Sequence, residues 1–168
     1  MPFSKSAAKG RGDARPVSIR SRAIALLARR EYGRAELKKR LLTRASDAEA
    51  RDANTAAVDA VLDELAAEGL LSDERYARSV VLRKAHGYSA RAIADTLKSQ
   101  GLPEESVHQA LAERALDDDA VMRALWERRF GDPPRDERDK ARQVRFLQSR
   151  GFSLSAILRF LRSVAAAD

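Results

Sequence analysis

Arginines near the end of the chain form the main candidate for binding chemistry. Arg138, Arg142 and Arg145 stand at positions i, i+4 and i+7, so a helix would place their guanidinium groups along one stripe. Arg135 and Arg150 extend this stripe at its two ends. A guanidinium group binds phosphate oxygens or a carboxylate through paired hydrogen bonds. The row therefore predicts contact with a nucleic-acid backbone or an acidic protein surface. The alternative is a solvated helix face that neighbouring acidic residues partly neutralise. The residues expected to face inward, or nearly inward, from this helix are Ala141, Val144 and Leu147.

A second group of basic residues lies near the start of the chain. Leucines form the apolar side of a predicted helix over 34–44, which leaves Arg34 and Lys38 near one face and Lys39 beside them. These residues are the second candidate surface for DNA or for a protein filament.

Charge is distributed unevenly along the chain, whose net charge is +7. Residues 1–45 hold 13 lysines and arginines against 3 acidic residues, and residues 135–162 hold 8 against 3. Residues 46–75 reverse this balance, with 9 acidic residues against 2 arginines. Basic ends are typical of a protein that binds a polyanion such as DNA, whereas the acidic stretch suits a basic protein surface.

Residues that support catalysis are almost absent. His86 and His108 have no metal-ligating partner three or four positions later, and the chain has no cysteine. The acidic run 117–119 lacks the glycine and distant glutamate of a calcium loop, and it suits a helix N-terminus on electrostatic grounds. The chain also lacks a phosphate-binding glycine loop and the usual serine or zinc hydrolase motifs. The sequence therefore predicts a protein that is not an enzyme and that needs no cofactor or metal.

Composition predicts an all-α fold. The chain has 168 residues, of which 44% are hydrophobic, 34% charged and only 5% aromatic, which suits amphipathic helices better than packed sheets. The absence of cysteine fits a reducing compartment. No apolar run approaches the roughly 20 residues of a membrane span, and no secretion signal is apparent, so a cytoplasmic protein without membrane contact is expected.

Apolar residues and glycines repeat at a spacing of about fifty positions, which predicts a tandem array of three three-helix repeats with an elongated, curved body. The frame Leu97, Gly101, Val107 and Leu111 recurs as Leu147, Gly151, Ile157 and Leu161. Gly101 and Gly151 are therefore expected to be equivalent left-handed helix stops. The predicted organisation is a mobile basic tail over 1–16 and repeats over 17–69, 70–116 and 117–168.

Local signals predict several helix ends. Gly33 is expected to end the first helix in a left-handed conformation. Residues 45–53 lack an apolar stripe and are expected to form a polar connection, followed by a helix over 55–68 capped by Asn54 or Thr55. The other expected N-caps are Ser72 or Asp73, and Ser89.

Motifs in the chain resemble those of the RecX family, the bacterial regulators of the RecA recombinase. The four matching motifs, in order, are Ala25–Tyr32, Glu36–Leu41, Gly69–Ala77 and Leu147–Ser153. The similarity covers residues 18–164. It implies a helical array that binds the groove of a RecA–DNA filament and mainly inhibits recombination, ATP hydrolysis and coprotease activity in DNA repair and the SOS response.

The implied partners are the RecA filament and the backbone of single- and double-stranded DNA, bound by a monomer. One alternative is a helical DNA-binding protein that acts alone, as a transcription regulator or nucleoid-type protein. However, no predicted helix collects Asn, Gln, Ser and Arg on one face to recognise bases. A second alternative is a small scaffold that binds an acidic protein without DNA.

Overall fold

The computed structural model describes residues 18–43 and 48–166, and in these two ranges the chain forms nine α-helices and no strand. The all-α prediction is therefore confirmed. The expected basic tail over 1–16 lies outside the described residues. Among the helices in these ranges, none has both the length and the apolar character needed to cross a membrane.

The helices fall into three consecutive groups of three. The first group is α1 (Ile19–Leu27), α2 (Arg34–Leu42) and α3 (Ala48–Ala67); the second is α4 (Asp73–Lys84), α5 (Ala90–Ser99) and α6 (Glu104–Arg114); the third is α7 (Asp118–Arg129), α8 (Glu137–Ser149) and α9 (Leu154–Ala165).

Each group of helices has its own hydrophobic core, so the elongated repeat fold expected from the sequence is confirmed. Leu37 and Leu62 are fully buried in the first core. Ile93 and Leu97 occupy the second core, and Leu147 lies in the third beside other buried apolar residues. The first core also includes Leu71, which follows the predicted boundary at 69–70, and the exact repeat boundaries remain predictions.

Serine and aspartate side chains begin most of these helices, as helix capping requires. Ser72 accepts a hydrogen bond from the Arg75 amide, and Ser89 accepts one from the Ala92 amide. Asp117 caps α7 by accepting from two amides of the first turn, so the acidic run there serves as a cap. These local sequence signals therefore predicted the starts of α4, α5 and α7.

Glycine at position 33 has a different role from the one predicted. Gly33 has a φ of −73° and precedes the first residue of α2, while α1 ends earlier, at Leu27. The prediction of a left-handed stop at Gly33 is therefore wrong. A Cβ atom at this position would lie 2.9 Å from Cδ1 of Tyr76, so glycine is needed because the next repeat packs against it.

Helix α3 begins earlier than predicted. Its first residue is Ala48, which places Asn54 and Thr55 inside the helix and makes the predicted cap there wrong. The predicted connection over 45–53 is also wrong from residue 48 onward. Alanine, glutamate and arginine dominate this segment and have high helix propensity, so a helix forms without an apolar stripe.

A repeated hydrogen bond joins successive repeats. The amide of Arg34, the first residue of α2, donates to the carboxylate of Asp73 at 2.8 Å. The amide of Ala90, the first residue of α5, donates to the carboxylate of Asp118, also at 2.8 Å. Because both acceptors are the first residues of the next repeat's opening helix, the two joints have the same construction.

Candidate nucleic-acid interface

One groove in the third repeat collects most of the predicted arginines. It lies between the C-terminal end of α7 and the outer face of α8 and has a volume of about 570 Å³. Its basic lining residues are Arg129, Arg135, Arg138, Arg142 and Arg145. Its other lining residues are Phe130, Asp132, Asp136, Asp139 and Gln143. The predicted stripe therefore forms a concave surface with an excess of positive charge.

A buried glutamine holds the floor of this groove in place. Gln143 is only 1% exposed, and its Oε1 accepts a hydrogen bond of 2.7 Å from Nε1 of Trp126 on α7. Ala141 was expected to face inward, but it is exposed, which makes that prediction wrong. The polar residue Gln143 takes the inward position because the Trp126 indole needs a hydrogen-bond acceptor inside the repeat.

The arginines of the groove differ in how far they are already paired. Nη2 of Arg142 lies 2.6 Å from Oδ1 of Asp139, and its guanidinium lies over the Phe130 ring at 5.5 Å. Arg135 makes a longer ion pair, of 3.8 Å, with Asp132. Arg138 and Arg145 are exposed, and within ranges 18–43 and 48–166 neither has a carboxylate partner. Together with Arg129, which is also exposed and has no carboxylate partner among the described residues, these two cations are the best placed to bind phosphate.

The Asp139 carboxylate stabilises this arrangement. Desolvation raises its pKa, but the Arg135 amide and the Arg142 guanidinium outweigh that effect, so the pKa lies below its ordinary value. Asp139 therefore stays ionised at neutral pH and keeps Arg142 beside Phe130.

Arg150 is not among the lining residues of the groove. Its guanidinium lies between two aromatic rings, 5.2 Å from the Tyr88 centroid and 5.3 Å from the Phe146 centroid. Its Nε atom is buried and has no hydrogen-bond partner among the described residues, and its carbonyl accepts a hydrogen bond from the Ser89 amide. The structure therefore places Arg150 in the joint between the second and third repeats.

The basic residues of α2 are largely paired within their own repeat. Arg34 lies 2.7 Å from the Asp63 carboxylate, and Nζ of Lys38 lies 2.8 Å from Asp59. Lys39 is exposed and forms no ion pair with the part of the chain that the structure describes. The acidic stretch of α3 therefore neutralises much of the basic surface of the first repeat.

Sequence reasoning missed two parts of the groove. Arg129 and Phe130 come from the end of α7 and precede the turn at Gly131, which has a φ of 77°. The sequence signal that could have identified them is a pair of arginines followed by an aromatic residue directly before a glycine turn. The groove is completed only where α7 packs beside α8, and this tertiary contact could not be predicted from the spacing of residues within one helix.

Comparison with known proteins assigns the family. Residues 72–125 match the model for the second three-helix domain of RecX, and residues 117–161 match that for the third. The chain is 42% identical over 146 residues to the regulatory protein RecX of Leptothrix cholodnii, which covers 87% of this chain and 88% of that protein. The chain belongs to the RecX family. The regulatory protein RecX of Ralstonia pickettii is 39% identical over 153 residues, covering 91% of this chain and 90% of that protein.

A solved structure of the RecX family has the same fold. RecX from Lactobacillus salivarius aligns with a TM-score of 0.59, covering 88% of this chain and 95% of that chain at 17% sequence identity. The curated relatives are named regulatory proteins, so the prediction of a regulatory role is confirmed. In the described ranges, no group of three or more acidic or histidine side chains is arranged to hold a metal.

Proposed function

We propose that this RecX-family regulator binds the groove of a RecA–DNA filament and mainly inhibits the recombinase, ATPase and coprotease activities of RecA in DNA repair and the SOS response. The observation that carries the proposal is the arginine groove of the third repeat. The family membership of the chain supports the RecA-related role.

The elongated array supports a steric mechanism. Its repeats are held in register by the amide–carboxylate joints at Asp73 and Asp118, so the array would lie along a helical groove as one body. In that position it would bridge adjacent recombinase protomers and obstruct a second DNA strand or a cleavage substrate.

Contact with DNA in this proposal runs through the phosphate backbone. Arg138 and Arg145 have no carboxylate partner in the described part of the chain, while Arg135 and Arg142 lie beside them in the same groove. Guanidinium contacts to phosphate position a protein but do not discriminate between bases, so single- and double-stranded DNA would both bind. Arg34, Lys38 and Lys39 remain candidates for a second contact, with Lys39 the least engaged by its own repeat. The protein would act as a monomer in the cytoplasm.

The test compares binding to RecA filaments on single-stranded DNA, to RecA alone and to DNA alone, together with the DNA-dependent ATPase of RecA. We expect the filament to bind most tightly and its ATPase to fall at substoichiometric to stoichiometric ratios, without intrinsic ATP hydrolysis by the regulator. The variant Arg138→Ala with Arg145→Ala is expected to weaken binding to both the filament and DNA. A matched control is Arg83→Ala with Arg114→Ala, which removes the same charge from exposed positions of the second repeat.

Two results would oppose the proposal. Equal affinity for the filament and for naked DNA, with an unchanged RecA ATPase, would favour a DNA-binding protein that acts alone. Equal losses in the two double variants would mean that the arginine groove contributes only general positive charge.

A further inference from the structure

A second concave surface lies in the first repeat, between α1 and the C-terminal end of α2. Its volume is about 440 Å³. The residues that line it are Arg22, Ala25, Leu26, Arg29, Arg40, Leu41 and Thr43. Arg22, Ala25 and Leu26 stand at positions i, i+3 and i+4, so one face of α1 forms a wall, and Arg29 lies in the turn that follows α1. We call this surface the α1–α2 cleft.

The floor of the α1–α2 cleft is apolar and well supported. Leu41 is 2% exposed and belongs to the first core, and Leu26 is half-buried against that core. Ala25 is exposed and leaves the floor open to an incoming side chain. Nη2 of Arg22 donates a hydrogen bond of 2.8 Å to the Leu41 carbonyl, which fixes Arg22 at the rim and satisfies the end of α2.

The rim of the cleft carries positive charge that the first repeat neutralises only in part. Nε of Arg40 lies 3.4 Å from Oε1 of Glu36, an oxygen that Arg30 contacts more closely, at 2.5 Å. Arg29 is exposed and has no ion-pair partner in ranges 18–43 and 48–166. None of the described residues that line the cleft is acidic.

On the opposite face of α1, in contrast to the cleft, the basic residue is paired with carboxylates. Arg20 points towards α3, where it lies 2.8 Å from Glu68 and 3.6 Å from Glu64. The acidic helix therefore neutralises Arg20 on one side of α1, whereas Arg22 and Arg29 have no carboxylate partner among the described residues.

We propose that the α1–α2 cleft docks an acidic, amphipathic segment of a partner protein. An apolar side chain of that segment would rest on Ala25, Leu26 and Leu41, and its carboxylates would pair with Arg29 and Arg40. Charge complementarity and the apolar floor favour a peptide over DNA, because phosphate binding needs a row of cations and no apolar floor. The groove of the third repeat has no comparable floor of alanine and leucine side chains, since its uncharged lining residues are Phe130 and Gln143. The inference does not depend on that groove binding DNA.

The probe is a fluorescein-labelled synthetic peptide of alternating aspartate and leucine, measured by fluorescence anisotropy against the full chain. Ala25→Glu places a carboxylate on the floor without disturbing a buried residue, and it is expected to lower affinity at least about tenfold. Arg29→Ala removes one exposed ion pair and is expected to lower affinity about threefold to fivefold. The matched controls Ala112→Glu and Arg114→Ala lie at exposed positions of α6 and are expected to bind like the wild type. Circular dichroism checks that all variants remain folded.

Several outcomes would overturn the inference. They are no saturable binding by the wild type, equal losses in Ala25→Glu and Ala112→Glu, and equal binding of a peptide in which serine replaces leucine. Displacement of the peptide by an oligothymidine would instead assign the cleft to nucleic acid. The Arg138→Ala, Arg145→Ala variant is expected to keep wild-type peptide affinity, so failure of the DNA proposal and failure of this inference give different results.

Discussion

Gly151 and Ala92 are in such close contact that position 151 has no room for a side chain. A Cβ atom built on Gly151 would lie 2.3 Å from the Cβ of Ala92 and 2.7 Å from Oγ of Ser89. Gly151 also has a φ of 91°, and Gly101 has a φ of 80°. Their prediction as equivalent left-handed stops is confirmed. Both glycines also lie against the preceding repeat, because a Cβ on Gly101 would be 3.2 Å from that of Ala35.

The first prediction is that Gly151→Val destabilises the protein more than Gly101→Val. A left-handed backbone costs a non-glycine residue about 1–2 kcal/mol, and overpacking at position 151 adds about 1–3 kcal/mol. Urea denaturation measures both losses. Gly87→Ala serves as the control, since its nearest neighbour would be 3.9 Å away, and it is expected to change stability by less than about 0.5 kcal/mol. Unchanged unfolding free energies in both valine variants would contradict the assignment of Gly101 and Gly151 as left-handed helix stops.

The second prediction concerns the arginine row. Changing Arg138, Arg142 and Arg145 to Ala should preserve the helix, because alanine has the higher helix propensity. If all three bind DNA phosphates, the slope of log affinity against log salt should fall by up to about 2–3. Salt titrations of the wild type and the triple variant against naked DNA and against the filament measure this slope, and circular dichroism is the fold control.

The two salt-titration curves, against naked DNA and against the filament, also identify what the arginine row binds. A protein contact would weaken filament binding and leave affinity for naked DNA nearly unchanged. Curves identical to the wild type on both targets would mean that the row is a solvated face. Binding would then have to be sought at Arg34, Lys38 and Lys39.

The third prediction separates Arg150 from the groove. Because its guanidinium lies between the rings of Tyr88 and Phe146, Arg150→Ala should lower the unfolding free energy by about 1 kcal/mol. Its effect on the salt slope should be smaller than that of Arg138→Ala. A larger loss of DNA affinity in Arg150→Ala than in Arg138→Ala, at unchanged stability, would contradict this distinction.

The fourth prediction tests the buried Gln143–Trp126 hydrogen bond. Gln143→Leu leaves the indole N–H without its acceptor and should cost about 1–3 kcal/mol. Adding Trp126→Phe removes the unpaired donor, so the double variant should lose less than the sum of the two single losses. Urea denaturation of the four proteins in this cycle gives the coupling energy. Strict additivity would show that the hydrogen bond contributes nothing to stability.

The fifth prediction concerns acid stability. Burial raises the pKa of the Glu36 carboxyl, but the hydrogen bond and charge of Arg30 outweigh it, so the pKa in the folded protein lies below the ordinary value of 4.5. A depressed folded-state pKa stabilises the protein above pH 4.5, and this stabilisation is lost as the pH falls through the lower folded value. Glu36→Gln should therefore lower stability at neutral pH, and the difference from the wild type should shrink in acid. If the stability difference between the wild type and Glu36→Gln does not depend on pH, the lowered pKa of Glu36 is refuted.

The helical repeats could be predicted because their signals are local. Apolar spacing identified the core positions Leu97 and Leu147, and side-chain capping at Ser72 and Ser89 followed from the residue types alone. The glycines with left-handed φ at the ends of α5 and α8 repeat with the apolar frame. Such features depend on residues within one or two helical turns.

The features that sequence reasoning missed depend on contacts between helices. Lys38 pairs with Asp59, which lies 21 positions later on another helix, so the electrostatic state of this candidate site needed the fold. Gln143 is buried because Trp126 packs over it, although its residue type suggests a solvated position. Gly33 likewise gives room to Tyr76 of the next repeat.

The joints between repeats give the array a direction. In each joint the helix amide belongs to the earlier repeat, at Arg34 or Ala90, and the carboxylate belongs to the later one, at Asp73 or Asp118. Loss of a later repeat would uncap a helix in the repeat before it, whereas loss of an earlier repeat leaves the aspartate in the first turn of its own helix, where negative charge is still favoured. Damage should therefore spread from the third repeat towards the first more readily than in the reverse direction.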